Sequence, residues 1–157
     1  MQKTILIIAV VALVGCGGDN TDSVISDPIV KEGLRIEYKF REMREEGDGV
    51  LTKARLERVI QLYLADTKIT DAGLKDVAKL QNLKKLILMD TQVTDAGLKD
   101  VAKMQKLEGL GLSDTKITDA GLKELAKMKQ LTSLGLMGTQ VTHAGVIEVQ
   151  KALPKCK

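Results

Sequence analysis

Three aspartates at intervals of 24 residues are the side chains in this sequence best spaced to bind a cation. The three are Asp66, Asp90 and Asp114. Carboxylates stacked about 4.8 Å apart at strand ends would raise one another's pKa, which costs stability unless something neutralises them. Gly138 stands at the fourth position of the series and would leave the site incomplete. We therefore predict no metal site and no cofactor.

Histidine and cysteine, which often carry catalysis, are scarce in the sequence. His143 is the single histidine, and it stands where three similar segments have aspartate. A histidine in the first turn of a helix is more often a tolerated surface residue than a catalytic base. Cys16 and Cys156 have such different contexts that we predict no disulfide between them. The sequence therefore predicts a protein that is not an enzyme.

Cys16 follows a segment that is typical of a secretion signal. Lys3 supplies a positive charge and residues 5–14 are apolar. Ten helical residues span ~15 Å, about half of a ~30 Å hydrocarbon core, so the run is too short to cross a membrane. The sequence Leu13-Val14-Gly15-Cys16 resembles a bacterial lipobox, in which the cysteine thiol takes a diacylglycerol. That resemblance implies a lipoprotein signal peptide over residues 1–15 and lipid attachment at Cys16. The alternatives are an ordinary signal peptide, or a buried strand with an incidental cysteine.

The remainder of the chain divides into three parts. Residues 16–26 begin with a polar, glycine-containing run and are predicted to form a flexible tether. Residues 27–58 are predicted to form a helical N-terminal cap, which begins with Asp27 as N-cap and Pro28 at the first helical position. Apolar residues that alternate between positions 34 and 40 would also fit a strand. Residues 59–157 hold four repeats and a closing segment.

The four repeats are 24 residues long and follow one another without a gap. They are Val59–Asn82, Leu83–Lys106, Leu107–Gln130 and Leu131–Pro154, here called the first to fourth units. Each opens on apolar-x-x-Leu-x-Leu-x-x-Thr-x-(Ile/Val)-Thr, and the first three units continue Asp-Ala-Gly-Leu. The pattern resembles the leucine-rich repeat, whose usual asparagine or cysteine at the ninth position is here threonine. The resemblance implies an α/β solenoid with short parallel strands on a concave side and helices on a convex side.

Each part of a unit has a structural reason. The two leucines of Leu-x-Leu point into the core, and the residue between them points outward. One threonine per unit is expected to satisfy backbone groups at the bend after the strand: Thr67, Thr91, Thr115 and Thr139. A second is predicted to be the N-cap of the helix: Thr70, Thr94, Thr118 and Thr142. One glycine early in each helix is predicted to permit close packing of neighbouring units: Gly73, Gly97, Gly121 and Gly145.

Charged residues recur along the predicted helices. Asp71, Asp95 and Asp119 precede lysines by four residues, a spacing that favours ion pairs along a helix. A further lysine stripe lies beside other acidic residues and is interpreted as solvated convex surface: Lys79, Lys103, Lys127 and Lys151. A patch for an anionic polymer or for lipid headgroups is the alternative. Because the net charge is only +3 with 29% charged residues, we predict no nucleic-acid partner.

The outward strand positions are the predicted binding surface. The candidates are Gln61, Tyr63, Lys85 and Ile87, with Met89 and Met137 at adjacent loop positions. An exposed aromatic ring beside aliphatic and thioether groups favours binding to a protein. The alternative is that Tyr63 and Ile87 lie beneath the N-terminal cap.

Two functions of different classes fit these features. The first is a lipid-anchored interaction module of the bacterial cell envelope, which binds a protein or peptide through the concave face. The second is a structural envelope component that contacts polysaccharide or peptidoglycan. Cys156 is predicted to close the end of the core as a small hydrophobe. A reactive thiol, or a disulfide between two chains, is the alternative role of Cys156.

Overall fold

A computed structural model of the protein describes residues 28, 30, 57 and 59–157. The predicted signal peptide and tether lie outside the described residues, as does most of the predicted cap. Of the cap, Pro28 and Val30 are helical and Val30 is buried. Within the part of the chain that the structure describes, no helix is both long enough and apolar enough to cross a membrane.

Strands and helices alternate regularly along residues 59–157. The strands are β1 (Gln61–Tyr63), β2 (Lys85–Ile87), β3 (Gly109–Gly111) and β4 (Ser133–Gly135). The helices are α1 (Asp71–Val77), α2 (Asp95–Val101), α3 (Asp119–Leu125) and α4 (His143–Ala152). The strands pair in parallel in chain order, and Leu62, Leu86, Leu110 and Leu134 align across the sheet. The predicted repeat architecture is therefore confirmed.

The core lies between the sheet and the layer of helices. Both leucines of the Leu-x-Leu pair are buried in the first three units, where Leu62 and Leu86 are 0% exposed. Full burial of such a side chain contributes about 1.5–3 kcal/mol, so the stacked leucines are the main source of stability in the array. The fourth unit is less covered, since Leu134 and Leu136 are only half-buried.

A threonine hydroxyl closes the bend after each strand. In every unit it donates to the carbonyl oxygen of the residue three positions earlier, at 2.7, 2.7, 2.5 and 2.7 Å in chain order. The four threonines are Thr67, Thr91, Thr115 and Thr139. Because the turning chain leaves these carbonyl groups without a strand partner, the hydroxyl removes the cost of burying them unpaired. The predicted role of this threonine ladder is confirmed.

The Thr-Asp-Ala-Gly motif joins neighbouring units through its aspartate. The Asp95 carboxylate accepts hydrogen bonds from the backbone N–H and the hydroxyl of Thr118 in the next unit, at 2.9 and 2.6 Å. Asp71 binds Thr94 in the same way at 2.8 and 2.7 Å. Gly121 leaves room for the carboxylate, because a Cβ at this position would overlap Asp95 Oδ1. We call this arrangement the inter-unit clamp.

The inter-unit clamp corrects the prediction of ion pairs between Asp71, Asp95 and Asp119 and the lysines four residues later. Among the described residues, the clamp aspartates form no ion pair with the lysine four positions later. The ion pairs within helical units join residues three apart, at 2.6 Å each: Asp76–Lys79, Asp100–Lys103 and Glu124–Lys127. Two hydrogen bonds turn each clamp carboxylate toward the next helix and away from a close ion pair with its own lysine. The paired lysines support the interpretation of the stripe as solvated surface.

The predicted N-caps are present with one difference. The hydroxyl groups of Thr94, Thr118 and Thr142 accept from helical N–H groups at 3.3, 3.2 and 3.2 Å. Thr70 occupies the N-cap position of α1 but makes no side-chain hydrogen bond to the helix. The capping contribution is therefore made in the second to fourth units.

The third clamp, in which Asp119 accepts from the N–H and the hydroxyl of Thr142 at 2.8 and 2.7 Å, makes stability depend on pH. The hydrogen bonds from the hydroxyl and then the N–H of Thr142 lower the pKa of Asp119 below its ordinary value of 3.8, and Lys123 adds a smaller effect. A carboxylate with a lowered folded-state pKa stabilises the fold above its ordinary pKa, and this contribution is lost as the pH falls through the folded-state value. We expect the melting temperature of the wild type to fall more steeply than that of Asp119→Asn below pH 3.8. Thermal melts followed by circular dichroism would measure both slopes, and equal slopes would contradict the clamp.

Candidate functional site

The outward side of strands β1–β4, here called the sheet face, holds the predicted binding residues. Tyr63 lies beside Ile87 and Gln61 beside Lys85 across the first strand pair. Lys85 Nζ is 5.4 Å from the centroid of the Tyr63 ring, which is a cation–π distance. The Tyr63 hydroxyl donates to Gln61 Oε1 at 3.4 Å. These four side chains therefore form one continuous cluster over β1 and β2.

The next strands of the sheet face carry little side-chain bulk. Gly109, Gly111 and Gly135 occupy the outward positions together with Ser133. The side chain of Ile87 leans over β3, because a Cβ at Gly111 would lie 2.9 Å from Ile87 Cδ1. Gly111 therefore leaves room for the side chain of Ile87, a role that sequence reasoning missed. The sequence feature that could have indicated this role is that a glycine, Gly111, stands one repeat after the bulky Ile87.

The two methionines lie where strands β2 and β4 end. Met89 is 38% exposed and Met137 is 76% exposed. Ser113 occupies the corresponding place after β3 and is buried. Since parallel strands are about 4.8 Å apart, Met137 lies roughly 10 Å from Met89. The structure thus groups four of the six predicted residues, with Met89 just after the end of β2 and Met137 at the far side of the sheet face.

A backbone requirement explains the residue types of the aspartate ladder. Asp66, Asp90 and Asp114 have φ angles of 58°, 51° and 56°, and Gly138 has a φ of 71°. This left-handed conformation favours glycine, asparagine and aspartate over other residues. Across residues 59–157, no group of three or more His, Cys, Asp or Glu side chains is arranged to hold a metal ion.

His143 and Cys156 lie away from the sheet-face cluster. His143 is exposed and begins α4. Cys156 is a free cysteine, 6% exposed, and belongs to the hydrophobic core. Burial raises the pKa of its thiol, as is usual for a cysteine in apolar surroundings. The prediction that Cys156 closes the end of the core is confirmed.

The succession of strand, threonine bend and helix is that of a leucine-rich-repeat solenoid. Residues 79–102 and 103–126 match the family described as Leucine Rich repeat. No curated protein matches the sequence.

Solved structures of bacterial proteins are similar to this chain. The internalin inlF of Listeria monocytogenes is 25% identical with a TM-score of 0.62, over 87% of this chain and 36% of the internalin. A leucine-rich-repeat protein of Leptospira interrogans is 25% identical with a TM-score of 0.53, over 66% of this chain and 26% of that protein. The chain therefore spans about a third of the length of the internalin and about a quarter of the length of the Leptospira protein.

The comparisons confirm the predicted fold and favour the first of the two predicted classes of function, the interaction module. Leucine-rich-repeat proteins are typically interaction modules without enzymatic activity, and they generally bind proteins. The domain is therefore consistent with protein–protein interaction, and the structural alternative with no protein partner is not favoured.

Proposed function

We propose that this protein is a lipid-anchored interaction module of the bacterial cell envelope that binds a protein or peptide through the sheet face. The contiguous cluster of Tyr63, Lys85 and Ile87 carries the proposal. It presents an aromatic ring, a cation and an aliphatic chain together at the outward side of β1 and β2. Aromatic residues with apolar neighbours supply most of the binding free energy at protein interfaces.

The shape of the sheet face favours a narrow partner segment. Beside the cluster, the partly exposed Gly109 and Gly135 carry no side chain and allow a partner to approach the sheet closely. A segment that crosses the strands would place an apolar side chain against Ile87, whose own side chain covers Gly111. Four strands give a face only about 15 Å across, so a single contact is weak. Several anchored copies on one membrane would raise the overall affinity.

The double variant Tyr63→Ala/Ile87→Ala tests the sheet face. In pull-downs from envelope extracts, we expect it to lose captured protein by about tenfold or more, which corresponds to roughly 1.4 kcal/mol. The matched control is Lys75→Ala/Lys99→Ala, which removes two exposed side chains from the helices and should capture as the wild type does. Thermal melts would establish that both variants are folded.

The outcomes of this experiment separate the two classes of function. If the folded double variant keeps every protein that the wild type captures, the sheet face is not the binding surface. Capture of peptidoglycan fragments alone, with no protein, would instead support the structural envelope component.

A further inference from the structure

The rim of the sheet face, where the strands end, combines exposed methionines with carboxylates that make no ion pair with another described residue. We call it the strand-end rim and define it by Met89, Met137 and the three aspartates Asp66, Asp90 and Asp114. Met137 is the most exposed large hydrophobic residue among those described, at 76%, and Met89 is 38% exposed. Methionine is frequent at surfaces that bind apolar side chains, because its thioether is flexible and polarizable.

The three rim carboxylates are exposed and stand in a row, one per strand. Among the described residues, no cationic group lies within 4.0 Å of these three carboxylates. No described side chain donates a hydrogen bond to them. The left-handed backbone at these positions accounts for glycine, asparagine or aspartate but not for a charge. Like charges about 4.8 Å apart repel one another, so the row costs stability until a cation faces it.

The methionine and carboxylate parts of the rim adjoin one another. Asp90 directly follows Met89 in the chain, and Gly138 directly follows Met137. The Asp114 carboxylate lies over Gly138, because a Cβ at Gly138 would overlap Asp114 Oδ1. The acidic row therefore runs from the first unit to the third and meets Met137 at the fourth, where no carboxylate is present.

We propose that the partner segment is a cationic amphipathic helix that lies along the strand-end rim. The pitch of an α-helix is about 5.4 Å and the spacing of the strands is about 4.8 Å, so one residue per turn faces one unit. Three basic residues on successive turns would face Asp66, Asp90 and Asp114. An apolar residue one turn further would contact Met137. This inference rests on the proposed function and adds the charge and shape of the partner.

A synthetic peptide with this pattern provides the probe. It carries lysine on three successive helical turns and leucine on the fourth, and it is titrated against the whole chain in phosphatidylcholine nanodiscs. We expect saturable binding that weakens as salt rises, because screening reduces attraction between exposed charges. A peptide with glutamate in place of lysine should not bind.

Two matched variants assign the binding to the rim. Asp66→Asn/Asp90→Asn/Asp114→Asn keeps residues that tolerate the left-handed backbone and should weaken binding by about tenfold or more. Asp100→Asn/Glu124→Gln/Glu148→Gln changes the net charge equally on the helix side and should bind as the wild type does. Met137→Ser, which introduces the residue found at this place in the third unit, should also weaken binding.

Two results would overturn the inference. One is no binding of the lysine peptide to the wild type. The other is an equal loss in the two triple variants, which would mean general attraction between opposite charges. The proposed function would still stand after either result if Tyr63→Ala/Ile87→Ala loses its captured proteins. The protein bound at the sheet face would then lack a cationic helix.

Discussion

Replacing Gly121 with alanine is expected to lower the free energy of unfolding by about 2 kcal/mol, although the same change in an ordinary helix is stabilising by about 1 kcal/mol. The new Cβ would overlap Asp95 Oδ1 and would lie 2.9 Å from Leu98 Cδ1. The carboxylate must then leave the N–H and the hydroxyl of Thr118, which it binds at 2.9 and 2.6 Å. Urea unfolding followed by circular dichroism would measure the change.

A double-mutant cycle with Asp95→Ala isolates the clamp as the cause. Once the carboxylate is absent, Gly121→Ala meets only the flexible end of Leu98, and its cost should fall below about 1 kcal/mol. Asp95→Ala alone should cost about as much as Gly121→Ala alone, because each removes the same two hydrogen bonds. If the two effects simply add, the glycine is not present to make room for the carboxylate.

Replacing Cys16 with alanine is expected to move the protein from the membrane fraction to the soluble fraction. The reason is the lipid attachment that the run Leu13-Val14-Gly15-Cys16 implies. Each buried methylene of an acyl chain contributes about 0.8 kcal/mol to membrane binding, so loss of the acyl chains removes the anchor. Immunoblots of separated membrane and soluble fractions would measure the change.

Cys156→Ala is the matched control for the anchor, because it removes the other cysteine of the chain. Cys156 lies in the core near the end of the fourth unit, so this variant should lose some stability and keep its membrane association. Membrane retention of Cys16→Ala would show that another part of the chain, or a partner, holds the protein at the membrane.

Much of the fold could be predicted because the repeats are exact in length. A constant period of 24 residues returns every leucine to the same place, so the parallel register of Leu62, Leu86, Leu110 and Leu134 follows from counting. The threonine bends also follow, since a turning chain needs a local donor for each unpaired carbonyl group.

The candidate site was predictable only in part. Alternation along a strand assigns Tyr63 and Ile87 to the outward side. It does not show that Ile87 leans over Gly111, nor that Lys85 lies over the Tyr63 ring. Those contacts join different units, and their geometry depends on which side chain of the neighbouring strand is missing.

The sequence by itself determined the repeat, its leucine frame and the threonine bends, because each is a local property that recurs at a fixed spacing. Only the tertiary structure decided the roles of the charges that recur in the repeats. Local spacing assigned Asp95 to the lysine four residues later, whereas packing of the next unit gives it two stronger partners on Thr118. Among the described residues, the same packing brings no side-chain donor to Asp90, which directly follows Met89. A carboxylate binds whichever donors the fold brings closest, and those donors lie about one repeat away in the chain.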